Sequence, residues 1–282
     1  QGDIGGADTI TAGEGNDLVL GGAKGDALFG EAGHDVLLGD HGRIDIAAGL
    51  LVRVRSEQSG IGGADTISGG TGDDLILGGA FGDTVTGDAG NDVMLGDEGV
   101  AEFDALGLVR VSSEQNGTGG ADELRGNEGD DVLVGGAYGD RIDGGSGRDL
   151  MFGDNVSLDR GIGDGLANSR YRQLSGAEGG RIYSNAAATA GSVLVTGLHQ
   201  AVPGGARVWE NFDTVLRYHD APTEAAGGSV FGNDYIAGGA GNDQIFGQLD
   251  DDVIQGDGAI DLVVGARRLA DGSLSLQASV EN

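Results

Sequence analysis

Fifteen aspartates recur at nine-residue intervals along this chain of 282 residues. They form four groups: Asp8, Asp17, Asp26 and Asp35; Asp65, Asp74, Asp83 and Asp92; Asp122, Asp131, Asp140 and Asp149; and Asp234, Asp243 and Asp252. Two places after each stands an apolar residue: Ile10, Val19, Leu28, Leu37, Ile67, Ile76, Val85, Met94, Leu124, Leu133, Ile142, Met151, Ile236, Ile245 and Ile254. Glycines crowd the residues before each aspartate, as in Gly238-Gly239-Ala240-Gly241-Asn242-Asp243-Gln244-Ile245-Phe246, so the unit reads G-G-x-G-x-D-x-U-x with U apolar. A period this short restricts the chain to a solenoid whose units touch only their neighbours. A disordered Gly/Asp-rich chain has no physical reason to keep U in phase.

The 46 acidic residues outnumber the 16 basic ones, for a net charge of −30. That charge argues against nucleic acid or an anionic membrane as partner and for cations. With no cysteine, neither disulfides nor thiolate metal sites can rigidify the fold. No apolar run reaches the ~18 residues of a membrane span, and no signal peptide opens the chain, so neither insertion nor an N-terminal export signal is expected of this segment.

A longer period of 57 residues, from Asp8 to Asp65 and from Asp65 to Asp122, lies over the first. Each period holds four nonapeptides and a spacer. In the spacers Ile44, Ile46, Val52 and Val54 alternate with Asp45, Arg53 and Arg55, which reads as a β-hairpin with one apolar face. The division is therefore repeat blocks at 1–38, 60–95, 117–152 and 229–255, hairpin spacers at 39–59, 96–116 and 256–282, and a long β-rich insertion at 153–228. The insertion holds Trp209 and both prolines, and its pattern leaves an elaborated hairpin or a small subdomain equally open. Gln1 to Asp8 matches Gln58 to Asp65, and the chain closes on a spacer-like Ser279-Val280-Glu281-Asn282. Either the chain is a window of a longer array or copies continue one another head to tail.

Two nonapeptides make one coil, and turns 18 residues apart stack at about 4.8 Å, which brings two aspartates and several turn carbonyls around one gap. Calcium suits such a gap, because it takes 6–8 oxygen ligands in irregular geometry, whereas magnesium demands a strict octahedron. The expected pairs are Asp17–Asp35, Asp74–Asp92, Asp131–Asp149, Asp8–Asp26, Asp65–Asp83, Asp122–Asp140 and Asp234–Asp252, giving about seven inter-turn sites within blocks. The last four are weaker, since Lys24, Phe81, Tyr138 and Asp250 replace the fourth-position glycine. Asp243 lacks a clean partner, with Asp261 a possible one; Asp40, Asp97, Asp154 and Asp257 read either as terminal ligands or as solvated turn residues.

On these fifteen units, about 135 of 282 residues, the chain closely resembles the RTX (repeats-in-toxin, haemolysin-type) calcium-binding β-roll proteins of bacteria. The resemblance implies an all-β parallel β-roll solenoid, here interrupted by hairpin insertions, with the fifteen aspartates as Ca2+ ligands. It also implies type I secretion and folding on meeting calcium outside the cell.

The two sheets of the roll differ. Strands such as Thr9-Ile10-Thr11 and Thr84-Val85-Thr86 are polar around U, whereas Leu18-Val19-Leu20, Leu75-Ile76-Leu77 and Leu150-Met151-Phe152 are apolar on both faces and need a cover. That cover is either the chain's own hairpins or a neighbouring protomer. No H-E-x-x-H or G-x-S-x-G occurs, and His34, His41, His199 and His219 have no ligand spacing, so no enzyme is expected. The expected role is a secreted, extracellular or cell-surface structural repeat protein that self-associates into a filament, surface layer or matrix. The alternatives are the stalk of a large adhesin and, more distantly, the C-terminal part of a secreted enzyme or toxin.

Overall fold

The computed structural model describes residues 5–58, 60–104, 107–114, 119–160, 212–216, 231–268 and 274–280. The interior of the long insertion, with Trp209, lies outside them. Glycine turns reverse the chain after every short strand, and successive half-coils fall alternately into two parallel sheets. The first sheet stacks Thr9–Glu14, Ala27–Ala32, Thr66–Thr71, Thr84–Ala89, Glu123–Glu128, Arg141–Gly147, Tyr235–Ala237 and Val253–Gln255. The second stacks Leu18–Leu20, Val36–Leu38, Leu75–Leu77, Val93–Leu95, Val132–Val134, Leu150–Phe152 and Gln244–Phe246. The architecture is a parallel β-roll. Because strand side chains alternate in direction, the U residues turn inward, and Leu28, Leu37, Ile67, Ile76, Val85, Met94, Leu124, Leu133, Ile142 and Met151 close a core between the sheets, while Ile254 in the last coil stays half exposed.

The insertions do not break the ladder. Ala27 to Phe29 pair in register with Thr66 to Ser68 across the first spacer, and Arg141 to Asp143 pair with Tyr235 to Ala237 across the long one. The spacers leave the roll, form antiparallel hairpins and join one another in a six-stranded sheet, in the order Phe212–Leu216, Val156–Arg160, Gly107–Ser113, Gly99–Asp104, Leu50–Ser56, Gly42–Ala47. The long insertion thus keeps a hairpin-like strand pair at its base.

This cover sheet lies on the outer face of the second sheet. Val54, Ala101, Val111, Val156 and Leu158 from the cover pack with Val36, Leu38, Leu75, Leu77, Val93, Leu95, Val132, Val134 and Phe152 in a second core. The rings of Phe152 and Phe246 stack there, 5.1 Å apart. Outward positions of the cover carry charge, with Glu102 between Arg53 (3.7 Å) and Arg110 (4.0 Å). Those pairs are solvent-facing and add little stability.

Parity explains why the last spacer behaves differently. Four nonapeptides make two full coils, so a spacer after them leaves from the second sheet; the fourth block has three, and Val253–Gln255 lies in the first sheet. The chain then folds over the outer face of the first sheet. Ile260 N–H donates to Asp143 Oδ2 (3.1 Å), Arg141 Nη2 donates to the Ile260 carbonyl (2.9 Å), and Arg125 pairs with Asp261 (2.9 Å). Beyond this anchor Leu262–Arg268 and Leu274–Val280 form a separate two-stranded antiparallel sheet.

Candidate metal centre

Continuous stacking puts the aspartates in two unbroken columns. One runs Asp8, Asp26, Asp65, Asp83, Asp122, Asp140, Asp234, Asp252; the other runs Asp17, Asp35, Asp74, Asp92, Asp131, Asp149, Asp243. In both, the backbone N–H of each aspartate donates to Oδ1 of the next. In the first column the distances are 2.7, 2.6, 2.8, 2.7, 2.9, 2.9 and 3.1 Å. In the second they are 2.8, 2.7, 2.8, 2.8, 2.9 and 3.1 Å.

The restriction of paired sites to single blocks is therefore wrong. Asp26 meets Asp65, Asp35 meets Asp74, and Asp140 meets Asp234 across insertions as closely as Asp65 meets Asp83 within a block. Asp243 also has its partner, Asp149, while Asp261 is committed to Arg125. Sequence separation concealed these pairs because a spacer changes the count along the chain without changing the coil.

The ladder uses Oδ1 of every aspartate after the first in each column and leaves most Oδ2 atoms without a hydrogen-bond partner. The Oδ2 atoms of Asp17, Asp26, Asp35, Asp65, Asp74, Asp83, Asp92, Asp122, Asp131, Asp140, Asp149 and Asp234 are buried with no hydrogen-bond partner. A carboxylate oxygen stranded away from water is costly unless a cation meets it. A glycine one coil-turn back makes room beside it: the first glycine of the unit within a block, and Gly39, Gly96 and Gly153, at the end of the preceding block, for Asp65, Asp122 and Asp234. A Cβ on Gly21 would collide with the carbonyl oxygen of Gly39 and approach Asp26 Oδ2 at 2.6 Å, and other glycines repeat the arrangement: Gly78 faces the Gly96 carbonyl and Asp83 Oδ2, and Gly144 faces the Gly238 carbonyl and Asp149 Oδ2. These glycine carbonyls are the ligand candidates that counting acids does not reveal; the recurrent first glycine of G-G-x-G is the signal that could have found them. Ala12 fills that position before Asp17.

The missing fourth-position glycines do not weaken the first column. Lys24, Phe81, Tyr138 and Asp250 adopt the left-handed conformation themselves, with φ of 75°, 76°, 74° and 71°. Each strains the turn by about 1–2 kcal/mol but leaves the aspartate ladder intact.

Without a cation, burial raises these carboxyls: Asp74 to about 6, Asp65, Asp92, Asp149 and Asp234 to about 7, Asp131 to about 8 and Asp83 to about 10. Desolvation is the main cause in each, and the neighbouring aspartate in the column adds to it. Asp122 and Asp140 are raised well above the ordinary range for the same reasons. Among the described residues no three acidic or histidine side chains converge. The donors are instead a carboxylate oxygen and backbone carbonyls, hard oxygens spaced along a flexible turn, which suit calcium better than magnesium.

A family model of the RTX calcium-binding nonapeptide repeat (four copies) matches residues 5–37, 20–43, 59–94, 126–155 and 230–263. This is an RTX repeat protein. The matches reach every block of the roll, and RTX nonapeptides bind calcium, which fits the stranded oxygens. No curated protein matches the chain.

Asp40 and Asp97 are not solvated turn residues, because both carboxylate oxygens of each accept backbone N–H groups in buried surroundings. Asp40 is buried; Oδ1 accepts from Gly63 N–H (3.0 Å) and Oδ2 from Ala80 N–H (2.6 Å). Asp97 accepts from Gly120 and Ala137 in the same way, and Asp154 Oδ2 from Leu249 N–H (2.7 Å). Each sits where the chain leaves the roll and ties that exit to the next coil; Asp40 and Asp97 also hold the point of return. Asp257 is exposed. His34 is exposed too, yet its Nδ1 accepts from Asp73 N–H (2.7 Å) within a ladder that includes Asn16, Asn91 and Asp130.

These two kinds of aspartate separate in an experiment. Asp74→Ala is expected to lower the number of calcium ions bound in equilibrium dialysis, while Asp40→Ala keeps the full number and lowers the unfolding free energy from urea titration at saturating calcium by about 1–3 kcal/mol. Equal losses of bound calcium would refute the distinction.

Proposed function

We propose that this RTX protein is a secreted, extracellular structural element whose roll becomes rigid on calcium binding and which assembles into a filament, surface layer or matrix. One observation carries the calcium-dependent part: twelve buried carboxylate oxygens without a partner. In a calcium-poor cytoplasm their repulsion and desolvation oppose folding, which suits export of an unfolded chain; outside, calcium removes the penalty. Because gaps between blocks are built like those within them, the number of bound ions exceeds seven. A non-catalytic role is part of the proposal, since the fifteen periodic aspartates are committed to the two columns.

The stalk of a type I-secreted adhesin is the second reading, favoured by the rod itself. Seven steps between the eight strands of the first sheet advance the roll by about 34 Å at a spacing of ~4.8 Å. Electron microscopy with and without calcium separates the two. Calcium-dependent fibres or sheets support assembly; single rods at high protein concentration in calcium support the stalk.

A further inference from the structure

Two exposed aromatic side chains stand on one flank of the roll. Phe81 is 48% and Tyr138 45% exposed, and each holds the fourth place of the third nonapeptide in its block. Both adopt the left-handed conformation, with φ of 76° and 74°, whereas Gly15, Gly33, Gly72 and Gly90 at the fourth place of other units take up left-handed angles without strain. A lone exposed aromatic is ordinary. A bulky ring kept twice, at one place of the period and in a conformation that favours glycine, marks a site with a use for that ring.

The solenoid sets the distance between them. Asp83 and Asp140, two places after each aromatic, are separated in their column by Asp122 alone, so the two aromatics sit two coils apart, about 9.6 Å at ~4.8 Å per coil. The intervening coil presents Gly119, Gly120 and Ala121, which place nothing larger than a methyl between them. A Cβ on Gly120 would lie 2.1 Å from the carbonyl carbon of Phe81, so a side chain has no room there. The result is a row of ring, flat floor and ring along the roll axis.

The row is too small for a protein partner. Two half-exposed side chains offer far less than the ~800 Å² that each partner buries in a stable protein interface. A net charge of −30 opposes a polyanion. The ligand that fits is long, uncharged and repeats every two coils. In an extended β-1,4-linked glucan successive sugars turn over, so every second pyranose presents the same face, and that two-sugar repeat matches the separation of Phe81 and Tyr138. The axial C–H groups of such a face carry partial positive charge and stack on the negative face of an aromatic ring. Gly119, Gly120 and Ala121 offer no polar side chain to a carboxylate or acetamido substituent, which favours the unsubstituted polymer.

We propose that Phe81 and Tyr138 form a binding platform for an extended β-1,4-glucan chain, each ring stacking on one pyranose while the sugar between them passes over Gly120. The platform lies on turns that carry Asp83 and Asp140, so it exists only when calcium has ordered those coils. It does not depend on self-assembly.

The test titrates the calcium-loaded full-length protein with cellohexaose by isothermal calorimetry and co-sediments it with microcrystalline cellulose. Saturable binding is expected in calcium, lost on chelation and at least tenfold weaker for maltohexaose, whose α-linkages curl the chain. Phe81→Gly/Tyr138→Gly installs the residue that the turn favours, so it is expected to keep the calcium-dependent circular dichroism signal and to weaken cellohexaose binding at least tenfold. No binding of cellohexaose or cellulose would overturn the proposal, as would equal binding of maltohexaose or unchanged binding by the double variant. A double variant that changes the sedimentation coefficient and not glucan binding would assign the row to a contact between copies and overturn it too.

Discussion

Removing calcium is expected to abolish the β-sheet circular dichroism signal of the whole roll, and restoring it to bring the signal back. The twelve stranded carboxylate oxygens lie at successive coils of two continuous columns, so no block can keep its strands while its neighbours lose theirs. Burying the four U side chains of a block is far too little to offset the ordering of its glycine-rich turns. A calcium-free chain at neutral pH with its full β signal would refute calcium-coupled folding. The pH dependence gives a second handle. Asp65, Asp92, Asp149 and Asp234 rise to about 7 in the metal-free fold, above their unfolded values. Their contribution to stability is thus fully present below the unfolded pKa and is lost as pH rises through about 7. The metal-free chain is expected to regain β signal between pH 8 and pH 4.5, while the calcium-loaded chain loses stability over the same range because protons compete with calcium for the same oxygens. Urea titrations in calcium-free and calcium-saturated buffers should give opposite slopes against pH.

The second large effect concerns the outer core. Leu77→Ala is expected to cost about 2–5 kcal/mol in calcium-saturated protein, because its side chain is buried between the second sheet and the cover. Leu20→Ala changes the same place in the 57-residue period, yet should cost under about 1 kcal/mol in dilute monomer, where that side chain meets water. Denaturant midpoints of the two variants settle it. Equal costs would mean that the cover sheet does not protect the second sheet as described.

Much of this was legible in the sequence because it depends on short-range periodicity. The nine-residue phase dictates a half-coil, the inward turn of U follows from strand alternation, and the contrast between Thr9-Ile10-Thr11 and Leu75-Ile76-Leu77 already marks the sheet that needs a cover. Aspartate pairing was legible only where a block is uninterrupted, as for Asp65 and Asp83. The pairs Asp26–Asp65 and Asp140–Asp234 were not, because sequence distance says nothing about whether a loop leaves and returns to one coil. Asp40 was misread for a related reason. A lone aspartate after a glycine looks like a solvated turn until Gly63 and Ala80, residues from two other strands of the turn, bring their N–H groups to it.

By itself, then, the sequence determined a calcium-binding roll of two unlike sheets, since spacing, glycine placement and U phase are local properties that every unit states again. Tertiary structure alone decided that the aspartate columns run unbroken through the insertions, that the spacers merge into one cover sheet, and that three nonapeptides instead of four send the last hairpin to the opposite face. Those outcomes depend on which half-coil each spacer leaves and rejoins. That is a matter of stacking between coils, where hydrogen-bond register and burial are satisfied only when all the units are placed together.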